Sequence, residues 1–154
     1  MKKSKFSAET VKKNLNGWKE ELVNFYNDWL VIIKAHLAAA DTNVISHEKV
    51  REEMDSINRK YDFILKNIYS LGELSEIVES NAKLLDTLNQ MEVSKNPVVK
   101  ERIKLVEIRN ENLVNSLDRQ LEVTSSLQEE LSKDMLALKD VLEENLNKNQ
   151  STKR

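Results

Sequence analysis

The chain's two histidines flank its first turn signal, and metal binding is the chemistry they could do. His36 lies toward the end of one helical stretch and His47 at the start of the next. Asp41 or Glu48 could complete a nitrogen-and-carboxylate donor set of the kind zinc accepts. Such a set also arises by coincidence about a turn, so the reading adopted is a partly buried structural His36 and an exposed His47. The di-metal carboxylate sites of helical bundles need Glu-x-x-His, but Ile33 and Val44 stand where the glutamates would be. That class is excluded.

Nucleophilic chemistry has no footing either. There is no cysteine, and no serine sits on a Gly-x-Ser-x-Gly elbow. Gly17 and Gly72 belong to no phosphate-cradling loop. Glu52–Glu53 and Glu129–Glu130 are adjacent in sequence, so on a helix they diverge by about 100° and share no proton. The expectation is a protein without enzymatic activity, metal or cofactor.

A basic cluster, Lys95, Lys100, Arg102, Lys104 and Arg109, is set against Glu101 and Glu107. It could bind phosphate or an acidic partner, and a solvated face kept soluble by charge fits it equally well. No aromatic side chain interleaves with these cations, so single-stranded nucleic acid finds no stacking platform. No short recognition helix follows a tight turn, so specific nucleic-acid reading is not expected. Charge elsewhere is polarised, with Lys2, Lys3, Lys5, Lys12 and Lys13 near the start and Glu129, Glu130, Asp134, Asp140, Glu143 and Glu144 near the end. The net charge of −2 gives no overall bias toward polyanions.

The elements that would position these residues are helices. In 154 residues there are two glycines and one proline, so the chain has few places to turn. The first helix carries Val11, Leu15, Trp18, Leu22, Phe25, Trp29, Ile32 and His36 at alternating spacings of four and three, the pattern of a helix-pairing stripe. It starts at Ser7, an N-cap, with Phe6 and Val11 placed as a hydrophobic staple, and runs to about Ala40. Core packing accounts for Trp18, Phe25 and Trp29, with Tyr26 at the edge. Gly17 allows close approach beside Trp18, and Ile33, Leu37 and Ala38 to Ala40 make the far end the most deeply buried.

Asp41-Thr42-Asn43 is the turn, and Ser46 caps a second helix with the stripe Val50, Met54, Ile57, Tyr61, Ile64, Ile68 and Leu71. At Gly72 the register slips to Leu74, Val78, Leu85 and Leu88, with Asn81 on the stripe. A kink there, in a helix continuing to about Val93, explains this better than a full break. Asn96 and Pro97 then suit the cap and first position of a third helix reaching about Asn147. Its stripe includes Val99, Ile103, Val106, Leu113, Leu117, Leu121, Leu127, Leu131, Met135, Leu138 and Leu142, with Asn110 and Thr124 near it.

These elements predict an all-α fold: three long antiparallel helices in an up-down-up, coiled-coil-like bundle, with a kink at Gly72 in the middle one. Residues 1–6 read as a flexible basic N-terminus, 7–147 as one bundle domain and 148–154 as a disordered polar tail. The second and third helices span roughly 70 Å at 1.5 Å per residue and the first only about 50 Å, which leaves two helices alone around Asn81 to Asn112. Leu85, Leu88, Val99, Ile103, Val106 and Asn110 are the candidate protein-interaction residues there. The expected role is that of a cytoplasmic interaction or scaffold protein that pairs with a second copy or a partner helix. One alternative is an amphipathic coat on a membrane or storage granule. The other is a four-helix effector-binding domain, which needs a full break at Gly72 and a cavity lined by Trp18 and Trp29. Met1-Lys2-Lys3 leads into a polar stretch, not a secretory leader, and the apolar run Trp29 to Ala40 is too short to span a bilayer.

Overall fold

The computed structural model describes residues 7–39 and 47–152, with side chains for 7–39 and 48–144. Three helices, α1 (Ala8–Ala39), α2 (His47–Gln90) and α3 (Pro97–Thr152), pack as an all-α three-helix bundle. The Asp41 turn, the Ser46 cap, the Phe6 half of the staple and the first six residues lie outside the described residues.

Local chemistry sets the helix ends. Ser7 caps α1: its Oγ accepts from Thr10 N at 3.3 Å and its carbonyl from Val11 N at 3.1 Å. Asn96 Oδ1 accepts from Val98 N at 3.0 Å, and Pro97 opens α3, where a missing N–H has no helical partner to lose. α2 stops at Gln90, before the expected Val93. Met91 is extended and Glu92–Lys95 forms a short 3-10 turn. Met91 N and Ser94 Oγ satisfy the carbonyls of Leu88 and Asn89 at 3.2 Å each. α3 runs to Thr152, five residues past the expected end at Asn147.

Burial recurs at every seventh residue on each helix. The rows are Ala8, Leu15, Leu22, Trp29 on α1; Val50, Ile57, Ile64, Leu71, Val78, Leu85 on α2; and Ile103, Asn110, Leu117, Thr124, Leu131, Leu138 on α3. The register slip expected at Gly72 is absent. α2 passes Gly72 unbroken, so the four-helix arrangement is not present, and the buried row continues through Ser75 in place of Leu74. Ser75 Oγ donates to Gly72 O at 2.7 Å and Thr124 Oγ1 to Gln120 O at 2.7 Å, so both hydroxyls enter the core without an unmet bond.

On α1 the expected stripe drifts. Phe25 is 40% exposed and Ile32 is exposed as well, whereas Tyr26 is half-buried and Ile33 fully buried. A straight helix has 3.6 residues per turn, so a strict heptad pattern rotates off the contact by about 20° per heptad; the buried and half-buried residues here run 18, 22, 26, 29, 33. Ala38 and Ala39 are exposed, so the far end of α1 is not its most buried part. Gly17 makes no close approach, since a Cβ there would meet nothing within 4 Å.

The contacts fall into two compact units, one of Met1–Gly17 with Asn67–Thr124 and the other of Trp18–Lys66 with Ser125–Arg154. In the first, Ala8 N donates to Glu79 Oε2 at 3.1 Å, Lys12 pairs with Glu76, and Leu15 Cδ1 lies 4.0 Å from where a Cβ on Gly72 would stand. In the second, the aromatics of α1 carry the packing. Trp29 Nε1 donates to Met135 O at 2.8 Å, Trp18 Nε1 donates to Gln128, and Tyr26 stacks on Tyr61 at 3.9 Å and 8°.

Candidate functional site

Burial in the first unit divides the predicted interaction residues. Leu85 (7% exposed), Ile103 (6%) and Asn110 are buried, while Leu88, Val99 and Val106 are half-buried. Asn81 Nδ2 donates to Asn110 Oδ1 at 3.3 Å, and Asn110 Nδ2 donates to Val78 O at 3.2 Å. This amide pair puts directional bonds into the α2–α3 contact, a device that favours one register over its neighbours. Asn89 Nδ2 reaches Glu107 Oε1 at 3.4 Å nearer the connecting turn.

A second set of apolar residues, outside the predicted stripes, stays in solvent. Ile77 and Leu84 on α2, Met91 just beyond it, and Val98, Leu105 and Ile108 on α3 are each 49–62% exposed. On α2 the row reads Glu73, Ile77, Ser80, Leu84 at steps of four, three and four. On α3 it reads Val98, Arg102, Leu105, Arg109 at the same steps. Sequence reasoning missed these rows because it assigned one apolar stripe to each helix. The signal was available: 77, 84 and 91, like 98 and 105, are seven apart. An open groove of about 540 Å³, lined by Glu73, Glu76, Ile77, Ser80 and Asn81, follows the same surface of α2.

Lys95, Lys100, Arg102, Lys104 and Arg109 are all exposed, and α3 spreads four of them around its circumference. Lys100 and Lys104 share one side, whereas Arg102 and Arg109 lie roughly 140–180° from them by helical geometry. Lys95 sits 3.5 Å from Glu92; the other four make no ion pair among the described residues. They do not converge on one anion.

The second unit holds the perturbed titratable groups. Burial, helped by the charge of Asp62, raises the Tyr26 phenol above its ordinary 10.0; its hydroxyl donates to Asn58 Oδ1. Burial also raises Tyr61, with Tyr26 and Asp62 adding to it. Lys60 is raised from 10.5 chiefly by its hydrogen bond to Asp134; partial burial opposes this, and the charges of Asp134 and Glu130 reinforce it. His36 is half-buried, and its Nε2 lies 3.5 Å from Glu143 Oε1 without the alignment of a hydrogen bond. The side chain of His47 lies outside the described residues, as does Asp41. Among the described residues no three His, Cys, Asp or Glu side chains gather into a metal-sized cluster, and no helix is long and apolar enough to cross a membrane.

No family model, curated protein or solved structure matches the chain.

Proposed function

We propose that the chain is a non-enzymatic helical interaction protein that self-associates or binds partner helices through heptad-spaced apolar rows. The observation that carries this is that Ile77 and Leu84 on α2, and Val98 and Leu105 on α3, stay half-exposed at the spacing by which helices pair. An up-down-up, coiled-coil-like order belongs to the same reading. Contacts in the first unit support it: Ala8 meets Glu79 while Lys12 meets Glu76, and Asn81 meets Asn110 while Asn89 meets Glu107. A cytoplasmic setting fits a chain with no cysteine to oxidise.

Light scattering on the purified chain tests the proposal. A mass above 17.9 kDa, or capture of a defined helical partner, supports it; a monomer that retains no helical partner refutes it. The coat-protein reading draws on a different feature, the exposure of Phe25, Val31 and Ile32 on α1. It requires co-sedimentation with lipid vesicles at moderate salt, which the interaction reading does not.

A further inference from the structure

Tyr26 on α1 and Tyr61 on α2 stack with ring centroids 3.9 Å apart and planes 8° from parallel. Aromatic pairs that serve packing alone favour offset or tilted arrangements with centroids about 4.5–7 Å apart. Tyr26 and Trp29 meet in that way, at 5.7 Å and 35°. The tyrosine pair is closer and more nearly face to face. Both of its rings are half-buried, so neither is sealed from small solutes. The third tyrosine, Tyr69, is 69% exposed and has no ring partner among the described residues.

That arrangement suits one-electron chemistry. A phenol that loses an electron and its O–H proton becomes a phenoxyl radical, with part of its spin on the ring carbons ortho to the oxygen. Two phenoxyls join when those carbons meet through their π lobes, which stand perpendicular to the ring planes. In the stacked pair the lobes of Tyr26 and Tyr61 point at each other across an ordinary carbon–carbon contact. Burial and the charge of Asp62 keep both phenols protonated past neutral pH, so each oxidation sends a proton to solvent with its electron. Asn58 Oδ1, which accepts from the Tyr26 hydroxyl, holds that oxygen in place and is too weak a base to keep the proton.

We propose that Tyr26 and Tyr61 form an oxidative cross-linking site, at which a one-electron oxidant of the high-valent metal-complex class converts the stacked pair into dityrosine. Two equivalents of oxidant each take one electron, and the two O–H protons leave. A carbon–carbon bond forms between the facing ortho carbons. The hydrogens on those carbons then shift to the oxygens and restore two phenols. The chain loses two hydrogen atoms in all, as two protons and two electrons. The bond ties α1 to α2 within the second unit, and such a tie stabilises chiefly by restricting the unfolded chain. It gives a covalent staple to a chain that has no cysteine for a disulfide. It needs no partner chain and stands apart from the self-association reading.

Oxidation of the full chain by a photogenerated ruthenium(III) complex, with persulfate as terminal electron acceptor, tests this. Wild type gains dityrosine fluorescence while migrating as a single chain on a denaturing gel, and the yield per chain does not change with protein concentration. Peptide mapping joins the segment holding Tyr26 to that holding Tyr61, two hydrogens lighter than their sum. Tyr26→Phe and Tyr61→Phe keep an aromatic ring in place and near-wild-type helicity by circular dichroism, but lose the fluorescence. Tyr69→Phe retains it. A wild type that forms no dityrosine, or forms it only between chains, overturns the proposal. So does fluorescence that survives Tyr26→Phe or Tyr61→Phe, or that vanishes with Tyr69→Phe.

Discussion

Trp29 and Phe25 sit one turn apart on the stripe expected from the sequence, and the structure separates them sharply. Trp29 is 3% exposed with its indole bonded to Met135 O; Phe25 keeps 40% of its surface in water. Trp29→Ala empties a close-packed site, and such truncations cost about 3–5 kcal/mol. Of this, the hydrogen bond contributes only about 0.5–1.5 kcal/mol, because the Met135 carbonyl lies in the middle of α3 and keeps its helical partner. Trp29→Phe, which retains most of the apolar volume, therefore costs about 1–2 kcal/mol. Phe25→Ala gives up a half-exposed ring and costs roughly 1 kcal/mol. Urea unfolding followed by circular dichroism, with equal denaturant slopes for the variants, measures these differences directly. A stability of about 5–15 kcal/mol leaves even Trp29→Ala folded in water across most of that range. If Phe25→Ala costs as much as Trp29→Ala, the drift of the buried row along α1 is wrong and the strict heptad stripe is right.

Two further outcomes bear on the packing and the charges. Ser75→Ala changes stability by less than about 0.5 kcal/mol, since only a bond within α2 is lost, whereas Ser75→Leu overpacks a fully buried position and destabilises by about 1–3 kcal/mol; a stabilising leucine would show that Ser75 does not face the core. Tyr26, Tyr61 and Lys60 all have folded-state pKa values raised above 10.0 or 10.5. Their stabilising effect is therefore complete below those unfolded values and is lost as pH rises through the higher folded ones. Urea midpoints should hold level as pH approaches 10 and fall beyond it, with two tyrosines ionising later than free tyrosine by near-ultraviolet absorbance.

Helix boundaries were legible where the chemistry is local. Ser7 and Asn96-Pro97 do their work within three or four residues of themselves, so type and position suffice. The core rows were half legible. Apolar residues at heptad spacing located most of α2 and α3, but the α2 stripe was carried on through Leu74 where Ser75 is the buried residue, and Thr124 was placed only near the α3 stripe. Nothing in a residue's polarity says that its hydroxyl will bond a carbonyl three or four residues back. The loss of Phe25 to solvent depended on a rotation of the helix that accumulates over several turns. The proposed interaction surface was the least legible part: the predicted residues Leu85 and Ile103 are turned inward. Their neighbours Leu84 and Leu105 are turned out, a distinction of one position set by packing between helices distant in sequence.

That one-position distinction can be measured in a chain without native cysteine. Leu84→Cys and Leu85→Cys variants, treated with a thiol reagent over a range of protein concentrations, report the two neighbours separately. Self-association through the exposed row predicts a Leu84→Cys thiol that reacts fast in dilute solution and slows as protein concentration rises, beside a Leu85→Cys thiol that is slow throughout. Equal rates for the two thiols, or a Leu84→Cys rate that never changes with concentration, would contradict it.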